Sequence, residues 1–384
     1  MKKKKVLVLA YTNVNLGDDL FVRVLCQRYP EVSFYIEANQ QYQKIFQNIP
    51  NLVVLNRHTH FGYGCVSLFH RIARKLFHTK NVRKWYIREN YDAVVYVIGS
   101  LFDEDINWER CMEHMSFDEY ANAMWKDSLV DGVPFFLLSS NMTRVESDQY
   151  IKCIDVCLSQ LEDVCFRDRF SYEKFSHLPN VRYAPDLVLN GKIPQNKIDT
   201  NKVTISVWGI PTQCDHFPQW EKARNQWEAY RDLMREVIRA SLQRGKKVEL
   251  LALCEDEGDL EGCKQILAEQ PYEQEVSVYT YSGNFEEVIQ KIAESELVIG
   301  TRFHSVILSF CAKRPVFPVV YESKTLQLLK DIEYSGTYLE YDKIDPSQNS
   351  RIVDAVFNAP IISNDDYISR AAEQFLKLDK LLRE

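Results

Sequence analysis

Short apolar runs alternate with amphipathic stretches along most of the chain. Val6 to Ala10, Val32 to Ile36, Leu52 to Leu55, Asp92 to Ile98, Pro134 to Leu138, Val164 to Arg167 and Arg182 to Ala184 have the length of buried strands. Between them, Asp18 to about Arg28, Gln40 to Gln47, Phe117 to Val130, Gln149 to Leu161 and Arg169 to Ser176 carry helical spacing. Asn190 to Lys202 is polar, contains a proline and predicts a linker. The alternation then resumes, with strands at Val203 to Val207, Lys247 to Leu253, Val276 to Tyr279, Leu297 to Ile299 and Val316 to Val320. Helices are expected over Glu221 to Gln243, ended by Gly245, and over Asp365 to Leu382. Such alternation implies parallel sheets covered on both faces. At 384 residues the chain exceeds one ordinary core. Two α/β halves in tandem are expected, over 1–190 and 203–362, followed by a C-terminal helix over 363–384, with a cleft between the halves.

One stretch concentrates candidate chemistry. Glu296 to Ile307 reads ELVIGTRFHSVI: a buried strand, a break at Gly300 and Thr301, then helical recurrence of Val306, Ile307 and Phe310. Arg302 and His304 fall at the helix start. Ligands of open α/β sheets sit beyond the carboxyl ends of strands, where a helix N-terminus suits an anion. Arg302 supplies a fixed planar cation and His304 a group that exchanges protons near neutral pH. The competing structural reading is that Arg302 caps a neighbouring helix and His304 is a satisfied core histidine.

Two other turns follow predicted strands. In Tyr11 to Gly17, YTNVNLG, the residues Asn15, Gly17 and Asp18 stand where ligand contacts occur, but the pattern is not GxGxxG. Structurally, Gly17 permits the turn and Asp18 caps the helix. The strand ending at Gly99-Ser100 offers backbone N–H groups to a ligand, and the acids Asp103, Glu104 and Asp105 beyond it are expected in a solvated loop. Trp208 leads into a loop with His216, Phe217 and Trp220; exposed Trp208, Phe217 and Trp220 could stack on sugars or simply pack.

Charge narrows the partners. The net charge of −7 argues against a general nucleic-acid binder. Yet Val66 to Arg88 holds seven cations (Arg71, Arg74, Lys75, Lys80, Arg83, Lys84 and Arg88) and no acid, leaving the remainder at −14. This is either a packed helix with a solvated basic face or a peripheral contact for an anionic membrane or a diphosphate-linked lipid. The ten cysteines form no CxxC and no zinc spacing, and Cys153 and Cys157 are expected as buried small hydrophobes. Unpaired thiols suggest a reducing cytoplasm. No apolar run reaches twenty residues, and the one after Lys2 to Lys5 is too short for a signal core.

At Gly300-Thr301-Arg302-Phe303-His304 the chain resembles the polysaccharide pyruvyl transferase family. Asn15-Leu16-Gly17-Asp18-Asp19 is similar to its NxGD motif, and Tyr321-Glu322-Ser323-Lys324 to its Y-x-x-K. Gly99 stands where the family often has a glycine-rich turn. Phe166-Arg167-Asp168 with Ser171, and Pro185-Asp186, are weaker echoes of RD-x-x-S and PD elements. The resemblance covers about Val6 to Lys324. It departs at Ile98-Gly99-Ser100, which is no glycine run, and at Trp208, where many members carry arginine.

The resemblance implies two Rossmann-like domains in a GT-B-like arrangement, acceptor side first and donor side second. It also implies transfer of a pyruvyl group from phosphoenolpyruvate to two hydroxyls of a sugar in bacterial surface polysaccharide biosynthesis. Arg302 and His304 map to donor binding and catalysis, with Phe303, Lys324, Asn15, Gly17, Asp18 and Gly99 as further substrate contacts. No metal and no cofactor beyond the co-substrate phosphoenolpyruvate is expected. The saccharide acceptor could be lipid-diphosphate-linked and met at the inner face of the cell membrane. Two other functions fit the same pattern: a nucleotide-sugar glycosyltransferase, and a non-catalytic polysaccharide-assembly protein.

Overall fold

The computed structural model describes residues 3–56, 79–104, 108, 111–112, 114–145, 147–193, 198–209, 218–254, 256–268, 270 and 275–384, with backbone alone at 79–82, 122 and 218–223. The chain forms two compact units. One comprises Met1–Thr12, Leu20–Asn190 and Ser369–Glu384; the other comprises Asn13–Asp19 and Gly191–Ile368.

The first unit is built on a parallel sheet. Its strands are β1 (Lys5–Leu9), β2 (Ser33–Ala38), β3 (Leu52–Asn56), β4 (Ala93–Val97), β5 (Ser100–Asp103), β6 (Phe135–Arg144), β7 (Asp163–Phe166) and β8 (Val181–Tyr183). Their order is β3-β2-β1-β4-β6-β7-β8, with β5 paired to the outer half of β6. Residues such as Val94, Leu137 and Val164 are fully buried because helices cover the sheet, which is why these strands are continuous apolar runs. Cys153 and Cys157 lie buried on the Asp148–Ser159 helix, as expected.

The second unit holds β9 (Asp199–Val207), β10 (Lys247–Ala252), β11 (Val276–Thr280), β12 (Ser295–Gly300), β13 (Val316–Val320) and β14 (Leu339–Glu340). The order β11-β10-β9-β12-β13-β14 is parallel throughout and reverses between β9 and β12. In open α/β sheets, ligands bind beyond the carboxyl ends of the strands at such a reversal. Val203, Ile205, Leu250 and Ile299 form the core beneath them.

Several expectations are corrected. β6 runs to Arg144 because the polar half SSNMTR is satisfied internally: Ser140 Oγ donates to Gly99 O at 3.2 Å, and Ser139 Oγ accepts from Leu187 N at 3.0 Å. Asp103 ends β5 and pairs with Arg144 at 3.3 Å, while Glu104 accepts from Ser147 N at 2.8 Å, so these acids are not in a simply solvated loop. The helix expected over Gln40 to Gln47 spans only Tyr42–Ile45. The first helix begins at Leu16, and Asn15 rather than Asp18 caps it, its Oδ1 accepting from Gly17 N at 2.9 Å. The expected helix over Asp365 to Leu382 is two helices, Asp365–Arg370 and Leu376–Arg383, joined by a 3-10 turn. That turn carries the buried Gln374, whose Nε2 donates to Ala184 O at 2.7 Å. Among the described residues, no helix is long and apolar enough to cross a membrane.

Candidate functional site

The site lies where the second sheet reverses its order. β12 ends at Gly300, Thr301 N donates to Ser206 O at 3.3 Å, and Arg302 N donates to Ser206 Oγ at 3.2 Å. The turn is thus tied to the end of β9. Arg302 occupies the N-cap position of the Phe303–Cys311 helix with extended backbone, and its side chain turns away from that helix. Its Nε donates to Asp259 at 2.9 Å and 3.1 Å, and Nη2 bonds the same carboxylate. Nη1 pairs with Glu257 and donates to Tyr321 Oη at 3.2 Å.

Asp259 is fully buried at the start of the Asp259–Leu267 helix. It accepts from Leu253 N at 3.0 Å, Cys254 N at 2.9 Å and Gly209 N at 3.3 Å. Burial pushes its carboxyl up; Arg302 and the Cys254 N–H oppose that rise. Arg302 loses solvation too, but Asp259 and Glu257 hold its charge well above the usual guanidinium range. Burial raises Glu257 as well, and Arg302 more than reverses this, so Glu257 lies below the ordinary carboxylate value. The guanidinium therefore has an inner edge locked on a buried acid and an outer edge on a second acid whose side chain is 38% exposed.

Lys324 lies on the same rim, its Nζ 2.6 Å from Glu322 and 5.8 Å from the Tyr321 ring centroid. Burial works against its charge, but Glu322 and Tyr321 raise it above the usual lysine range. Arg302 approaches the same ring at 5.7 Å. Trp208 is corrected here: it is 2% exposed, stacked on Tyr321 at 4.3 Å and 21°, with Tyr341 edge-on at 5.0 Å. It packs the floor under the two cations and presents no open face. His216, Phe217, the Trp220 side chain, Asp105 and residues 66–78 of the basic segment lie outside the described residues.

His304 follows Phe303, whose ring stands edge-on to the imidazole at 5.1 Å and 88°. The imidazole lies against the Asn15–Gly17 turn. A Cβ built on Gly17 would fall 2.1 Å from Nδ1 and 2.3 Å from Cε1, so only glycine leaves the ring its place. Asn15 Nδ2 makes a long contact to Cys254 Sγ at 3.9 Å, and Tyr281 Oη donates to Asp19 at 2.6 Å. Asn15, Gly17, Arg302, Phe303, His304 and Lys324 all belong to the second unit, with the half-buried Asp18 in the first turn of its helix.

Gly99 belongs to the first unit. Its glycine character serves Arg167: a Cβ there would lie 2.9 Å from Nη2. Arg167 pairs with Asp186 at 2.9 Å and donates to Asn141 Oδ1 at 2.7 Å and 3.1 Å. Asp168 caps the Arg169–Phe175 helix through Ser171 N at 2.7 Å, and Ser171 Oγ accepts from Met142 N at 2.8 Å. The RD-x-x-S and PD elements are therefore one interlocked set closing the ends of β6 and β7.

Asp259 and Glu257 were not among the residues singled out from sequence. The signal was the acidic run Glu255-Asp256-Glu257-Gly258-Asp259 directly after the β10 run. Among the described residues, no group of three or more His, Cys, Asp or Glu side chains is placed to hold a metal ion.

Solved structures share the fold across the whole chain. TarM matches with a TM-score of 0.54 and 9% identity over 100% of this chain and 99% of that one. A putative UDP-N-acetylglucosamine 2-epimerase from Listeria monocytogenes gives 0.55 and 11% over 99% and 97%. The UDP-GlcNAc 2-epimerase of Methanocaldococcus jannaschii, in complex with UDP-GlcNAc and UDP, gives 0.53 and 10% over 98% and 99%. No curated protein matches the chain by sequence. The fold class is that of paired Rossmann-like domains, GT-B-like. Residues 15–323 match the model of the polysaccharide pyruvyl transferases, and the chain belongs to that family.

Proposed function

We propose that the chain transfers the pyruvyl group of phosphoenolpyruvate to two hydroxyls of a saccharide, forming a cyclic ketal. The observation that carries this is the pair of cations Arg302 and Lys324 about the Tyr321 ring, with His304 two positions beyond Arg302 and its imidazole held against Gly17. Phosphoenolpyruvate carries a carboxylate and a phosphate, which two cations about one aromatic ring suit. Arg302 and Lys324 take the place of the cation that Trp208 does not supply.

In this mechanism the enol carbon C3 gains a proton, leaving an oxocarbenium-like centre at C2. A sugar hydroxyl attacks C2, the C2–O bond to phosphate breaks, and the second hydroxyl closes the ring. Of the two hydroxyl protons lost, one balances that taken by C3 and the other leaves with phosphate. His304 is the acid/base that moves them, a role typically worth about 10²–10⁴-fold. Arg302, held flat by Asp259, orients the donor.

A second reading has one observation in its favour. Arg302 and Lys324 face three carboxylates, Asp259, Glu257 and Glu322, and carboxylates suit the hydroxyls of a nucleotide sugar. The structural relative with bound UDP-GlcNAc has the same fold. Incubation with phosphoenolpyruvate or UDP-sugars and a galactose-containing acceptor separates the two. Phosphate release with a ketal-mass product is expected, and UDP release alone would reject the pyruvyl reading. His304→Ala is expected to abolish most of that turnover.

The acceptor is lipid-diphosphate-linked in this proposal, reached at an anionic membrane surface through Val66 to Arg88. The described end of that segment, the Thr79–Asn90 helix, exposes Trp85 at 61%, as an interfacial anchor would be. Arg83 does not serve there, because it pairs with Glu37 at 2.8 Å and donates to Ser128 Oγ at 3.0 Å. Flotation with anionic liposomes should be lost on neutralising Arg71, Arg74 and Lys75. Equal flotation of both proteins would count against the contact, as would flotation of neither.

A further inference from the structure

We infer that Glu257 is a built-in stand-in for one anionic group of the donor, seated on Arg302 and displaced when a doubly anionic ligand binds. This rests on the donor reading above and adds a specificity-determining residue to it. The two acids on Arg302 are not equivalent. Asp259 is fully buried, holds Nε and Nη2, and also holds three backbone N–H groups, so it cannot leave without breaking the turn. Of the Arg302 nitrogens Glu257 holds only the outer Nη1, with the Cys254 thiol as a further hydrogen-bond partner; its side chain is 38% exposed, and it directly precedes Gly258, whose φ is +85°. It can swing into solvent and keep its charge hydrated.

Electrostatics make that displacement necessary. With Glu257 seated, Arg302 and Lys324 face three carboxylates, a formal excess of one negative charge against an incoming anion. With Glu257 withdrawn, the outer edge of the guanidinium opens beside Tyr321 and Lys324. A ligand with two anionic groups can take Arg302 and Lys324 together. A ligand with one recovers only a single contact for the ion pair it breaks. Glu257 thus selects against pyruvate and similar monoanions by competing for their place.

The test is calorimetric binding of phosphoenolpyruvate, pyruvate and inorganic phosphate to the full chain and to Glu257→Gln. The substitution is isosteric at a partly exposed side chain, so the fold is retained. Phosphoenolpyruvate should bind at least about tenfold more tightly to the variant, with pyruvate and phosphate gaining more, so that discrimination narrows. In turnover, KM should fall with kcat little changed, the mark of ground-state competition removed; a merely structural role would not produce it. Unchanged or weaker phosphoenolpyruvate binding in Glu257→Gln, with binding lost in Arg302→Gln, would overturn the inference and leave the donor reading standing. Absence of phosphoenolpyruvate binding in both wild type and Glu257→Gln would end the donor reading. The phosphate arm then decides alone: tighter phosphate in the variant supports a guarded anion site, and no gain overturns it.

Discussion

Replacing Asp259 with alanine is expected to destabilise the second unit by about 3–5 kcal/mol, because the Nε and Nη2 edge of a buried guanidinium that cannot shed its proton loses its acceptor, leaving only Glu257 and Tyr321 on Nη1. The loss should exceed that of Arg302→Met. In Arg302→Met, Asp259 still accepts from Leu253 and Cys254, and burial already pushes its carboxyl toward the protonated form. In Asp259→Ala, those backbone N–H groups lose their acceptor along with the guanidinium. Hydrogen exchange reads this locally: the amides of Leu253 and Cys254 should lose protection in Asp259→Ala and largely keep it in Arg302→Met. A denaturation midpoint for Asp259→Ala equal to wild type, or a larger loss in Arg302→Met, would show that Asp259 is not the hub of this turn.

That asymmetry also explains what could be seen before the structure. The strands of both units are legible because a sheet covered on both faces needs short, largely apolar runs such as Val203 to Val207. Arg302 and His304 are legible because the strand, the break at Gly300 and the helix are contiguous. Asp259 is not, since its partnership follows from strand order: β10 and β12 both flank β9, which brings together turns more than forty residues apart in sequence. The outer half of β6 is hidden for a different reason. Ser139, Ser140 and Asn141 are fully buried, and their polarity is answered by Leu187, Gly99, Gln374 and Arg167, groups distant in sequence. Trp208 stays open between the two readings in sequence because an aromatic after a strand looks the same whether it faces solvent or, as here, a tyrosine.

Gly17→Ala should lower turnover by about 10²–10⁴-fold while leaving stability nearly unchanged. Gly17 lies in the first turn of the Leu16–Arg28 helix, and its φ is not among the positive ones, so the backbone does not require glycine. By helix propensity alone alanine would be favoured there by up to about 1 kcal/mol. The requirement is the imidazole: a Cβ at 2.1 Å from Nδ1 leaves no room for the ring where it stands. The added methyl displaces the imidazole from where it stands against Gly17, and a displacement of about 1 Å can cost two orders of magnitude. His304→Ala should fall by a similar factor. The double variant should be no slower than His304→Ala alone, because the three atoms nearest the added methyl all belong to that ring. Multiplicative losses in the double variant, or wild-type turnover in Gly17→Ala, would separate the glycine from the histidine and remove His304 from the acid/base role.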